Sequence, residues 1–186
     1  MAGTGIRIAG FGGQGVILAG MVIGRAASIH DGKFATLTQS FGPEARGSAC
    51  SAQLIVSDEP ILYPYFHQSD MLVVMSQEAE RHFVPTLKPG GILLYEQDLV
   101  KLDERAREMN AFGIPATRFA EELGRRLVLN VVMVGFTTAV TGIASAQAVR
   151  QAVRESVPPG TASLNFAAFE KGLEHGMSKL CASHVA

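Results

Sequence analysis

The sequence predicts a single α/β domain, a three-layer α/β/α sandwich around a doubly wound, mostly parallel sheet. Three observations predict it. Short apolar runs alternate along the chain with longer, helix-spaced segments, the pattern of successive βαβ units. The first such run, residues 6–9, passes through a glycine-rich turn directly into an apolar helical stretch. And the 186 residues are 47% hydrophobic, enough for one ordinary core, with no linker, repeat or low-complexity tract to divide it.

Residues 6–9 form the first strand, apolar enough to be covered on both faces. Gly10, Gly12 and Gly15 follow with G-x-G-x-x-G spacing, and residues 14–29 form the first helix. Val16, Ala19, Gly20, Ile23 and Ala27 make one stripe of it, but its other face is also small and apolar, so it is enclosed by its own sheet or by another chain. Gly32 just past its end is a stop signal. Residues 34–38 are the second strand, 49–56 the next, and 57–60 a turn. Residues 70–75 form a strongly apolar strand, 78–87 a helix stopped by Lys88-Pro89-Gly90-Gly91, and 92–95 a further strand. A charged amphipathic helix is expected over 103–112, and Gly113-Ile114-Pro115 reads as the lead-in to a short edge strand. A helical region then runs from 118 to 140 with a break at Gly124. Its segment 127–140 falls short of the ~20 residues of a membrane span and is interrupted by Asn130, Thr137 and Thr138. Ser145 is the N-cap of a helix to Val157, and residues 165–175 form a last short helix. The domain is thus expected over residues 1–178, with 179–186 a frayed tail.

Composition narrows the function. The 16 basic and 17 acidic residues give a net charge of −1 and no basic footprint, which argues against nucleic acid. Only 18% of the residues are charged, a level that suits a chain sharing surface with a permanent partner. Cys50 and Cys181 lack any partner motif and read as reduced thiols of a cytoplasmic protein. The N-terminus shows no charged region followed by an apolar core, hence no export signal.

Two stretches carry the candidate site. In the turn, Gly10, Gly12, Gly13, Gln14 and Gly15 join strand to helix, and the amides at the helix start point outward toward an anion or a partner's carbonyl. A dinucleotide site also requires an acid about 20 residues on, at the end of the second strand. Residues 36–39 are Thr-Leu-Thr-Gln, without one, and no Gly-Lys-Ser/Thr marks a P-loop. The turn therefore reads as a tight junction and a platform for a neighbouring chain. The second stretch is the loop Gln39, Ser40, Phe41, Gly42, Pro43, Glu44, Ala45, Arg46, Gly47, Ser48, whose glycines and proline forbid regular structure. It follows a strand, so a doubly wound sheet projects it at the carboxyl edge beside the turn. Arg46 offers a bidentate fork to a carboxylate or phosphate, unless Glu44 and Arg46 simply pair to shape the loop. No serine has a histidine in a recognised elbow, and the five histidines lie scattered at 30, 67, 82, 175 and 184. No catalytic residue, metal site or cysteine-rich cluster motif is read from the chain.

The runs Gly10-Phe-Gly-Gly-Gln-Gly-Val-Ile-Leu-Ala-Gly20, Asp31-Gly-Lys33, Thr38-Gln-Ser-Phe-Gly-Pro-Glu-Ala-Arg-Gly-Ser-Ala-Cys-Ser51, Ser57-Asp58-Glu59 and Tyr63-Pro64 resemble the gamma subunit of the 2-oxoacid:ferredoxin oxidoreductases. Asn130-Val-Val-Met-Val-Gly135 is a later match, the likeness is weakest after Val157, and the loop is most like that of the 2-oxoglutarate type. The resemblance implies a complex that oxidatively decarboxylates a 2-oxoacid to its acyl-CoA with thiamine diphosphate, Mg and iron–sulfur clusters, passing electrons to ferredoxin or another acceptor. The implied partners are alpha and beta subunits and an iron–sulfur subunit. It implies that this chain binds no cofactor alone and serves as an accessory, mainly architectural subunit. Its glycine turn and Gln39–Gly47 loop would then face the catalytic subunits and border the path of coenzyme A, with Arg46 the foremost charged contact. The alternatives are a relative acting on aryl-2-oxoacids, of the phenylglyoxylate or indolepyruvate type, and a free-standing dinucleotide-binding protein.

Overall fold

Strands β1 (Gly3–Phe11), β2 (Phe34–Phe41), β3 (Ala49–Ser57), β4 (Ser69–Val74), β5 (Leu87–Glu96) and β6 (Asn110–Ile114) form one sheet in the order β2-β3-β1-β4-β5-β6. The computed structural model describes residues 3–41 and 49–183. β1, β4, β5 and β6 pair in parallel, while β3 runs antiparallel to both β1 and β2. The sheet is therefore mostly parallel, as expected.

Helices cover both faces. α1 (Val16–Arg25), extended by a π-helical turn over Ala26–His30, lies on one face with α4 (Ala116–Glu122), α5 (Leu129–Thr141), α6 (Ala146–Ser156) and α7 (Ala162–Ser183). Their apolar sides close over Ile6, Ile8, Ala52 and Leu54 in the larger core. The short helices α2 (Gln77–Phe83) and α3 (Glu104–Arg107) close a smaller core on the other face around Ala9, Leu72, Val74 and Leu93. Local signals set several boundaries. The Ser76, Asp103 and Ser145 side chains each accept a hydrogen bond from the amide three residues on, capping α2, α3 and α6.

Four expectations are corrected. Gln39, Ser40 and Phe41 are not loop but the end of β2, because β3 supplies them with ladder partners out to the Phe41–Cys50 pair. The helix expected to reach Leu87 ends at Phe83, and Pro85 falls in a 3-10 turn, where its missing N–H and fixed φ are tolerated. Most of the expected helix 103–112 is absent: α3 is a single turn, and Asn110–Ile114 adds to β5 as the edge strand β6. Gly113 leaves room there for the Tyr95 ring, which a Cβ would approach to 2.7 Å. The last helix is long rather than short, running from Ala162 through Ser183 over part of the expected tail.

α5 explains the apolar segment without a membrane. Every residue from Leu129 to Thr138 is buried, enclosed by α1, α4, α6 and above all α7. Against α7 the backbones touch. A Cβ on Gly135 would fall within 3.0 Å of the Phe169 backbone, one on Gly172 within 2.9 Å of the Val132 carbonyl carbon, and one on Gly176 at 2.5 Å from Ala139 Cβ. Among the described residues no helix is long and apolar enough to cross a membrane.

Candidate functional site

The site lies at the carboxyl edge, where α1 leaves β1 toward one face and α2 leaves β4 toward the other. Adjacent parallel strands whose connections diverge in this way open a crevice. Here one side chain closes it. Gln14 Oε1 accepts from Phe11 N at 2.7 Å, and Nε2 donates to Met75 O at 2.8 Å, while Met75 N donates to Ala9 O at 2.9 Å. Gly10 makes this possible, since a Cβ there would strike Gln14 Oε1. Gly13 (φ 97°) and Gly15 (φ 73°) occupy the left-handed region, and Gly15 also yields space to Asn130, whose Nδ2 donates to Gly15 O at 3.3 Å. Gly12 needs no such conformation; the glycines of the turn are thus of unequal importance.

Two clefts flank this turn. The first, of about 240 Å³, has Gly10, Phe11, Ser40, Phe41, Ala49, Cys50 and Ser51 along the strand ends, with Ser76, Glu78, Ala79, His82 and Phe83 of the α2 region as the opposite wall. It joins Gly10 of the turn with Ser40 and Phe41 of the other motif, 30 residues apart in sequence. Phe41 and Ala49, the residues from which segment 42–48 departs and to which it returns, stand on its rim. Gly42, Pro43, Glu44 and Arg46 lie outside the described residues. Gln39 is exposed on β2 and does not line the cleft. The second cleft, of about 290 Å³, brings Gly13 and Gln14 against Leu99, Arg126, Leu127 and Leu129.

The cleft walls are held by groups that sequence reading passed over. Arg7, buried in mid-strand, slides its guanidinium between Phe83, 4.7 Å from the ring centroid, and Phe66 at 5.4 Å. With its oxygen turned inward, the Gln53 carboxamide accepts from both Arg7 Nη atoms at 3.1 and 3.2 Å. Burial pulls the Arg7 pKa below its ordinary value, but an arginine remains charged at neutral pH. Phe83 in turn meets His82 edge to face at 4.5 Å. Beyond the second cleft, fully buried Glu96 accepts from Leu99 N at 2.6 Å and from Thr117 N at 3.0 Å, tying the end of β5 to the start of α4. An acid ending an apolar strand was the one available signal for it. Ser76 ahead of an acidic first turn was likewise a readable sign that α2 starts at the cleft.

The chemistry on offer is that of binding. The first cleft is lined by phenylalanines and three serines, with Glu78 and His82 on the α2 wall, suited to a narrow ligand arm that is partly apolar and partly amide. Burial pushes the Cys50 thiol up in pKa, away from the reactive thiolate. Among the described residues no three of His, Cys, Asp or Glu are grouped as metal ligands.

Residues 5–175 match the family model described as pyruvate ferredoxin/flavodoxin oxidoreductase. The 2-oxoglutarate synthase subunit KorC of Methanothermobacter thermautotrophicus is 51% identical over 175 residues, covering 91% of this chain and 93% of that one. Among solved structures, the gamma subunit of a keto/oxoacid ferredoxin oxidoreductase from Geobacter sulfurreducens is 40% identical, with a TM-score of 0.82 over 94% of this chain and 99% of that one. The fold also recurs within a larger chain, the 2-oxoglutarate:ferredoxin oxidoreductase of Magnetococcus marinus solved with 2-oxoglutarate, coenzyme A and succinyl-CoA. There it superposes with a TM-score of 0.86 at 23% identity, on 96% of this chain and 32% of that one.

Proposed function

Since the chain belongs to the 2-oxoacid:ferredoxin oxidoreductase family as a gamma-type subunit, we propose that it serves a complex converting 2-oxoglutarate to succinyl-CoA. The observation carrying this reading is the 51% identity to a 2-oxoglutarate synthase subunit along nearly the full length of both chains. In the assembly this chain contributes shape. It packs against alpha and beta subunits that hold thiamine diphosphate and Mg, while iron–sulfur clusters and the ferredoxin contact belong to other polypeptides. Its cytoplasmic location is part of the same proposal.

The first cleft is where this chain borders coenzyme A. Its phenyl rings and hydroxyls suit the pantetheine arm, whose amides and short alkyl links alternate in the same way. Arg46, carried by the segment that springs from Phe41 and Ala49, supplies the charged contact to a phosphate. A dinucleotide reading finds less support, because Gln14 fills the crevice that a pyrophosphate would enter above Gly10.

The test is to co-express the chain with its partner subunits and replace Arg46 with Ala. The apparent KM for coenzyme A rises about tenfold or more, the loss of one charge-assisted contact, while the complex still assembles. Unchanged coenzyme A dependence and unchanged assembly would remove the loop from the site. Activity of the wild-type complex on an aryl-2-oxoacid but not on 2-oxoglutarate would overturn the substrate assignment.

A further inference from the structure

Among the described residues three side chains able to carry a charge are buried: Arg7, Glu80 and Glu96. Two of them have an outlet. Glu96 accepts two backbone N–H bonds, and Glu80, whose pKa burial raises, can shed its charge by holding a proton. Arg7 has neither. An arginine keeps its proton at any physiological pH, and among the described residues no carboxylate pairs with this one. Its Nη atoms meet the Gln53 carboxamide alone, and its Nε has no hydrogen-bond partner. The register of β1 sets Arg7 beside Leu72 of the smaller core, where an aliphatic side chain would simply extend that core. The folded chain thus holds a charge that water no longer solvates, and stacking between two rings recovers only part of that cost. Folding by itself gives no reason for it.

Phe83, the ring nearer the guanidinium, also lines the first cleft. A cation shielded from water acts through low-dielectric material, so its potential reaches the nearest opening with little screening. Nothing on the wall cancels it: Glu78 and His82 are both exposed and hydrated, and burial keeps the Cys50 thiol protonated. We propose that Arg7 is a positioning residue that sets the specificity of the first cleft. Acting through Phe83, its uncompensated charge favours an anionic ligand over a neutral one of the same shape. The inference rests on the reading of that cleft as the border of coenzyme A, whose phosphates supply the anion.

The test uses the complex assembled with its partner subunits and two inhibitors that compete with coenzyme A, neutral pantetheine and anionic phosphopantetheine. Arg7→Met keeps the apolar stem and removes the charge. It weakens inhibition by phosphopantetheine about tenfold, the effect of one unit charge at an effective dielectric of about 20, and leaves inhibition by pantetheine as it was. In urea denaturation of the full-length chain the same variant is at least as stable as the wild type, since an apolar residue replaces an unpaired buried cation. Ser40→Trp fills the cleft from the exposed end of β2 and weakens both inhibitors. If Arg7→Met weakens both inhibitors equally or neither, or unfolds more readily than the wild type, Arg7 serves the fold alone and the proposal is overturned. If Ser40→Trp weakens neither inhibitor, the coenzyme A reading of the cleft falls and takes the proposal with it.

Discussion

The crossing of α5 and α7 makes the sharpest claim about stability, and Gly172→Ala tests it. The new methyl group would sit 2.9 Å from the Val132 carbonyl carbon and 3.0 Å from Phe136 N, and nearer still to the Val132 oxygen. Comfortable carbon contacts begin at about 3.5 Å, so the two backbones must part by roughly 0.6 Å or more. Neither obstacle is the end of a flexible side chain, so the strain is not relieved by a rotamer change. A separation of that size also forfeits a quarter or more of the dispersion energy among Val132, Phe136, Phe169 and Leu173, all buried in the same core. Overpacking of this kind costs about 3 kcal/mol, and replacing a helical glycine by alanine returns about 1 kcal/mol in propensity. The net loss is about 2 kcal/mol, or a fall of roughly 4–8 °C in Tm for a chain of this size. Urea denaturation followed by circular dichroism gives the first number, and calorimetry the second. Gly160→Ala is the control, because a Cβ there meets nothing within 4 Å and its φ is ordinary. It should be neutral or slightly stabilising. If Gly172→Ala matches Gly160→Ala within error, the close approach of the helices is wrong.

Other perturbations follow from the same contacts. Gln14→Ala removes the partners of Phe11 N and Met75 O and should destabilise by about 1–3 kcal/mol in chemical denaturation, and Gly10→Ala should be better tolerated in that background than alone. Glu96→Gln turns an amide toward a backbone N–H in a fully buried position and should cost about 1–3 kcal/mol, read from the shift in urea midpoint. Burial, and then the nearby Asp103 charge, raise the pKa of Glu80, so ionising it weighs against the folded state. The stability associated with its neutral form is complete below the ordinary glutamate range and is lost as pH rises through the raised value. Glu80→Gln should therefore raise Tm at pH 7, with the gain shrinking on acidification; a gain equal at all pH values would show that Glu80 does not carry the effect.

Much of this molecule is legible in its sequence because much of it is local. The strand, glycine turn and helix at the N-terminus follow from a switch in apolar period across a few residues, and Ser145 caps α6 through a bond spanning three. The same local reading put Gly10 and the Ser40–Phe41 motif at one edge of the sheet, and they do share a cleft.

What failed depended on partners far along the chain. Asn110–Ile114 carries no decisive local preference; the exposed edge of β5 makes it a strand by offering a ladder. Nor does any near neighbour reveal that Gln14 bonds Met75 and seals the crevice, or that Arg7 is gripped by Phe66 and Phe83. Gly135 and Gly172 look like weak points in two helices until the backbones meet. Composition and periodicity determined which segments are apolar and on which side. Only the tertiary structure decided which atoms meet, because burial makes each unmatched polar group or overlapping methyl expensive enough to override local preference.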